Sequence, residues 1–310
     1  MSYVFSARHM PTAGGSQSKP IVFVIGSSGN VGKATINALS INFGRKLDIR
    51  AGVRRPESVS DFKHLTGVTV VKAEMGQCEA LLGLFKGVKA LLIVTPGTGN
   101  RAELVGKTAE AAKSAGVDYI VVISGTTAEK PDTILGKQLC EVEQAVTSLE
   151  VPFVILRLPW FMESYFKYKD SIKADLMFHA PVDGGKEFQV VCMDDAGSAA
   201  AVVLASPEKH AGKIYTLVSD RNTFEQVSAA LTRALSREIT YVRMSYEETR
   251  QSLQNAGVPE LFIEGLLEFY QTIDSGEAQA FGGDEHFKEI TGKNPTKLLT
   301  WMNRFASAFK

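Results

Sequence analysis

Short apolar runs alternate with longer segments of helical period along most of this chain. Residues 21–25, 48–53, 68–72, 90–94, 119–124 and 152–157 have the length and composition of buried strands. Between the fourth and fifth of these, residues 100–115 place Ala102, Val105, Ala109 and Ala112 three or four apart, an apolar stripe of small side chains suited to close packing on a sheet. Such alternation predicts a doubly wound, parallel α/β sheet.

Beyond Arg157 the pattern changes. An aromatic stretch, LPWFMESYFKYKD, leads to a turn at Gly184-Gly185, a strand EFQVVC, a helix DDAGSAAAVVLAS, a strand IYTLVS and then mainly helical sequence. The expected organisation is a flexible arm over residues 1–19, a nucleotide-binding domain over 20–160 and a smaller, mostly helical substrate lobe over 161–310. Strands near 187–192 and 213–219 are expected to extend the first sheet.

Composition narrows the class of partner. Lys plus Arg (34) equals Asp plus Glu (34), and no basic run of five residues stands out, which argues against nucleic acid or an anionic membrane as a partner. No apolar run approaches the roughly eighteen residues of a membrane span. Cys78, Cys140 and Cys192 lie far apart and outside any CxxC spacing, as suits reduced thiols in the cytoplasm, and the histidines never fall at metal-ligand spacing. A cytoplasmic protein with a small-molecule partner and no metal is expected, its oligomeric state left open.

The stretch IVFVIGSSGNVGKA carries the strongest chemical signal. Gly26 allows a tight turn after the first strand, Gly29 allows backbone to approach a diphosphate, and Gly32 allows the following helix to sit against the strand. Ser27, Ser28, Asn30 and Val31 complete the loop, whose N–H groups at the helix start face an anion. A dinucleotide is the expected ligand. At the end of the second strand an NAD site places an acid; here the stretch is IRAGVRRPE, and Arg54 and Arg55 stand there instead. A guanidinium grips the adenosine phosphate that distinguishes NADP, so the expected cofactor is NADP(H). The alternative is that both arginines are solvated surface charges.

With these residues in view, the chain resembles the NmrA-like family of atypical short-chain dehydrogenases/reductases. The resemblance rests on VIGSSGNVG, the arginine after the second strand, residues 70–96, EVEQAVTSLEVPFVILRLPWFMESY and the terminal TGKNPTKLLTWM. It implies a Rossmann fold in which Glu74 and Met75 line the adenine and Thr95 and Pro96 border the middle of the cofactor. It also implies a hydroxyl near the reacting carbon at the end of the fifth strand, for which Thr126 is the nearest match; a helix cap or turn is the equal alternative.

Departures from the family pattern bear on chemistry. Short-chain dehydrogenases place Tyr-x-x-x-Lys on the next helix, and NmrA-like members commonly keep His or Lys four residues before a Glu. Counting back from Glu143, those positions are Leu135 and Leu139. Leu135, Leu139, Val142, Val146 and Leu149 form an apolar stripe facing inward, and Lys137 projects about 200° away from Leu139. The usual proton donor is missing, and Ser164 stands where the family often has Asn.

Leu139, Trp160, Phe161 and Tyr165 are the candidate substrate-binding residues, because aromatic and apolar side chains at the carboxyl edge of such a sheet suit a planar ligand. Two functions stay open: an NADPH-dependent reductase of a quinone or conjugated carbonyl or imine, and a redox-sensing regulator that binds NADP(H) without turnover and acts through a protein partner.

Overall fold

The computed structural model describes residues 18–310 except Asp284, so the expected arm lies almost wholly outside the described residues. The first six strands are β1 (Ile21–Ile25), β2 (Asp48–Val53), β3 (Val68–Lys72), β4 (Val88–Val94), β5 (Tyr119–Gly125) and β6 (Phe153–Leu158). They are followed by β7 (Trp160–Phe161), β8 (Met177–Ala180), β9 (Phe188–Val191), β10 (Lys213–Thr216), β11 (Asp220–Asn222) and β12 (Thr240–Arg243). Helices α1 (Asn30–Phe43), α2 (Cys78–Phe85), α3 (Arg101–Ala115) and α4 (Ile134–Thr147) connect the early strands. Later come α5 (Lys169–Asp175), α6 (Met193–Ala205), α7 (Phe224–Leu235), α8 (Tyr246–Asn255), α9 (Glu260–Asp274), α10 (His286–Thr291) and α11 (Leu298–Phe305).

Seven parallel strands form the central sheet in the order β10-β6-β5-β4-β1-β2-β3. The alternating residues of β1 serve two cores. Val22 and Val24 join the helices α1 and α6 on one face, while Phe23 and Ile25 join α2, α3 and α4 on the other. Burial on both faces explains why the strands read as continuous apolar runs. Chain direction reverses its progress at β1, which lies between β2 and β4, and this switch point opens a crevice at the carboxyl ends of the strands.

Small residues let α6 lie almost on α1. A Cβ on Gly197 would stand 2.5 Å from the carbonyl carbon of Ala34, so the alanine-rich helix DDAGSAAAVVLAS is a close-packing surface.

Of the two late strands expected to extend the sheet, β10 does so, beside β6. β9 does not: it pairs with β7 and β11 in a separate three-stranded sheet. Pro159 directly follows β6 and has no N–H to continue the ladder, so the chain leaves the central sheet there and β7 starts a new one. β8 and β12 form a two-stranded parallel sheet.

A third core, rich in aromatics, fills the second half of the chain around Phe178, Phe188, Phe224 and Trp301. The terminal TGKNPTKLLTWM motif is tied to it through carboxylates. Buried Asp195 accepts from Thr296 N–H (2.7 Å) and Thr296 Oγ1 (2.9 Å), and Asp220 accepts from Leu298 N–H (3.0 Å) at the start of α11.

Candidate active site

The crevice at the switch point is a cleft of about 870 Å³. Its floor is the turn between β1 and α1. Gly26 has φ +86°, in the left-handed region, and the N–H groups of Gly26 and Ser27 both donate to the Gly52 carbonyl (3.2 and 3.1 Å), fastening the loop to β2. A Cβ on Gly32 would stand 2.4 Å from the Gly26 carbonyl oxygen, so the third glycine is required for α1 to start here. No side chain caps α1, which leaves its first-turn N–H groups to a ligand. This is a cradle for a phosphate-bearing ligand.

Gly26, Ser28, Gly29, Asn30 and Val31 line the cleft, as do Arg54, Glu74, Met75, Thr95 and Pro96. The expected cofactor residues are thus brought together, with three exceptions. Ser27 is fully buried and its hydroxyl donates to the Val24 carbonyl (2.7 Å), so it closes the turn from behind. Gly32 is buried under the loop. Arg55 starts the next turn, its carbonyl accepting from the Ser58 hydroxyl (2.7 Å), and is absent from the lining.

At the other end, Leu139, Leu158, Phe161 and Met193 form an apolar wall. Trp160 and Tyr165, expected beside them, lie elsewhere. In the extended backbone of β7 neighbouring side chains point to opposite sides, so Phe161 meets the cleft while Trp160 stacks on Phe269 of α9 at 5.3 Å. Tyr165 is 1% exposed and packs edge-on against Trp301. Both belong to the aromatic core.

Thr126 is likewise buried and outside the lining; Ser124, two residues earlier in β5, lines the cleft instead. Its hydroxyl donates to Glu143 Oε1 (2.7 Å). The same carboxylate receives Arg157 Nε on Oε1 (2.8 Å) and Nη2 on Oε2 (2.7 Å), a bidentate pair, and Arg157 Nη1 continues to Glu129 (2.8 Å). The hydrogen bonds that Arg157 donates to Glu143 hold the guanidinium charged, raising its proton affinity above the ordinary arginine value. The network rigidly fixes the ends of β5 and β6 under the cleft.

Residue-level reading also missed Glu163 and Arg101. Glu163 is half-buried in the cleft wall; its carboxylate accepts from Met193 N–H (3.2 Å) at the start of α6 and from Trp301 Nε1 (3.1 Å). Burial pushes its pKa above the usual carboxylate range, against the pull of these donors. An acid amid the aromatic stretch was the available signal. Arg101, at the first turn of α3, is 8% exposed and lines the cleft beside Thr98 and Leu104. A cation at that end of a helix opposes the helix dipole, which was the signal there.

The sequence model of the NmrA-like family matches residues 18–304. This chain belongs to the NmrA-like family. Within it, the chain is 27% identical over 283 residues to quinone oxidoreductase 2 of Escherichia coli (strain K12), covering 90% of this chain and 96% of that one. It is 25% identical over 293 residues to an NAD(P)H azoreductase of Xenophilus azovorans, covering 93% and 99%. The crystal structure of the NADPH-dependent quinone oxidoreductase from Escherichia coli, complexed with NADPH, superposes with a TM-score of 0.81 at 25% identity over 92% of this chain and 99% of that one. The fold of this chain, a seven-stranded parallel sheet with flanking helices, matches that of the Escherichia coli quinone oxidoreductase. Among the described residues no cluster of His, Cys, Asp and Glu could hold a metal, and no helix is long and apolar enough to cross a membrane.

Proposed function

We propose that this NmrA-like protein is an NADPH-dependent reductase of a planar, hydrophobic acceptor such as a quinone, azo compound or conjugated carbonyl. One observation carries the reading: a single continuous cleft joins the glycine loop and Arg54 to the apolar wall of Leu139, Leu158, Phe161 and Met193. The quinone oxidoreductase and azoreductase activities named for its relatives support it.

The first-turn N–H groups of α1 hold the diphosphate, and Arg54 holds the adenosine phosphate. A bound reduced nicotinamide supplies hydride. The apolar wall excludes water and presents a flat face to the acceptor, which is positioning, a large part of catalysis in itself. Ser124 donates its hydroxyl hydrogen bond to Glu143, so toward the cleft its oxygen offers lone pairs; it orients a donor group and does not protonate the product. With leucines at 135 and 139, acceptors whose oxygens or nitrogens take a proton from water suit the site best.

The test is loss of reduced-nicotinamide absorbance when the protein and NADPH meet a panel of quinones, azo dyes and conjugated ketones or imines. Turnover above the uncatalysed rate, abolished by Gly32→Ala, is expected. Tight NADPH binding with no oxidation of it by any acceptor would instead favour a redox-sensing regulator.

A further inference from the structure

Arg101 is a buried cation without a countercharge. Its Nε donates to the Thr98 carbonyl (3.0 Å), its terminal nitrogens have no hydrogen-bond partner among the described residues, and no carboxylate there lies within ion-pairing distance. Burial alone lowers its proton affinity, with no opposing contribution. A guanidinium largely withdrawn from bulk water, reaching solvent only through the cleft and opposing the dipole of its own helix, is stabilised when an anion enters the cleft.

Strand order points to which anion. β2 and β4 flank β1, and both Arg54, directly after β2, and Arg101, in the first turn of α3 after β4, line the cleft whose floor is the glycine loop. In this fold the diphosphate lies over the end of β1. We propose that Arg101 is a second cationic contact for the dinucleotide, reaching its diphosphate from the β4 side while Arg54 serves the adenosine phosphate; this rests on the dinucleotide reading above.

Calorimetric titration of wild type, Arg101→Met, Arg101→Gln and Arg54→Ala with NADPH, NADH and ADP tests it. Both Arg101 variants are expected to bind NADPH and NADH at least about tenfold more weakly, by the same factor, and to lose ADP affinity as well, whereas Arg54→Ala separates NADPH from NADH. The ligand-free Arg101→Met protein is expected to melt no lower than wild type, since the variant removes an unpaired buried charge; Arg101→Gln retains a donor for Thr98 if the methionine variant does not fold. Unchanged affinity in a folded variant, or a loss confined to NADPH, would overturn the proposal. A wild-type protein that binds none of the three would overturn the dinucleotide reading itself.

Discussion

Leu135 of α4 fills the space over Gly265 of α9: a Cβ at position 265 would stand 2.6 Å from Leu135 Cγ. Glu268, one turn further along α9, caps the same region by accepting from Ile134 N–H (2.7 Å). The position that the family resemblance assigns to the tyrosine of short-chain dehydrogenases is therefore a packing contact between α4 and the second half of the chain. It is absent from the cleft lining.

A tyrosine there does not restore a proton donor. Leu135→Tyr is expected to destabilise the fold by about 1–3 kcal/mol through overpacking against α9, with no gain in turnover, measured by urea denaturation and by the NADPH assay. A faster enzyme of unchanged stability would contradict the packing argument.

Arg54 and Arg55 separate experimentally. Arg54→Ala is expected to weaken NADPH by about ten- to a hundredfold while leaving NADH nearly unchanged, and Arg55→Ala to change neither, since only Arg54 lines the cleft. Fluorescence titration of the reduced nucleotides decides this. Equal losses for both nucleotides in Arg54→Ala would remove the phosphate contact from that residue.

Removing the carboxylate that ties Ser124 to Arg157 leaves a largely buried guanidinium with only Glu129 as a partner. Glu143→Ala is expected to lower stability by about 3 kcal/mol, read as a shifted denaturant midpoint. Ser124→Ala, which removes one hydrogen bond, is expected to lower it by about 1 kcal/mol.

Glu163 gives the fold a pH dependence of defined sign. Its folded pKa is raised, mainly by burial, so the folded chain binds the proton more tightly than the unfolded one. Its contribution to stability is greatest when the carboxyl is protonated and declines as pH rises from the usual carboxylate value, about 4.3, through the raised folded value. Glu163→Gln lacks this slope. Across denaturation curves from about pH 4 to about pH 8, wild type is expected to lose stability relative to that variant; the opposite trend would mean that its Met193 and Trp301 donors outweigh burial.

The local patterns of the sequence determined six parallel strands, the helix between the fourth and fifth and the glycine turn, because continuous apolar runs, period-3.6 burial and the steric demands of Gly26 and Gly32 act between neighbours in the chain or between adjacent elements. The apolar stripe of Leu135 and Leu139 was visible for the same reason. Tertiary structure alone decided which side chains reach the cleft. Once Pro159 turns the chain out of the sheet, the fate of Trp160, Phe161 and Tyr165 depends on α9 and α11, more than a hundred residues away; Glu163 meets Trp301 across 138 positions. Choosing Ser124 over Thr126 required the placement of β5 against Glu143 of α4, and the burial of Arg101 against the loop after β4, where it meets Thr98, is likewise a tertiary outcome. Side-chain direction and desolvation are set by contacts distant in sequence, and residue spacing carries no record of them.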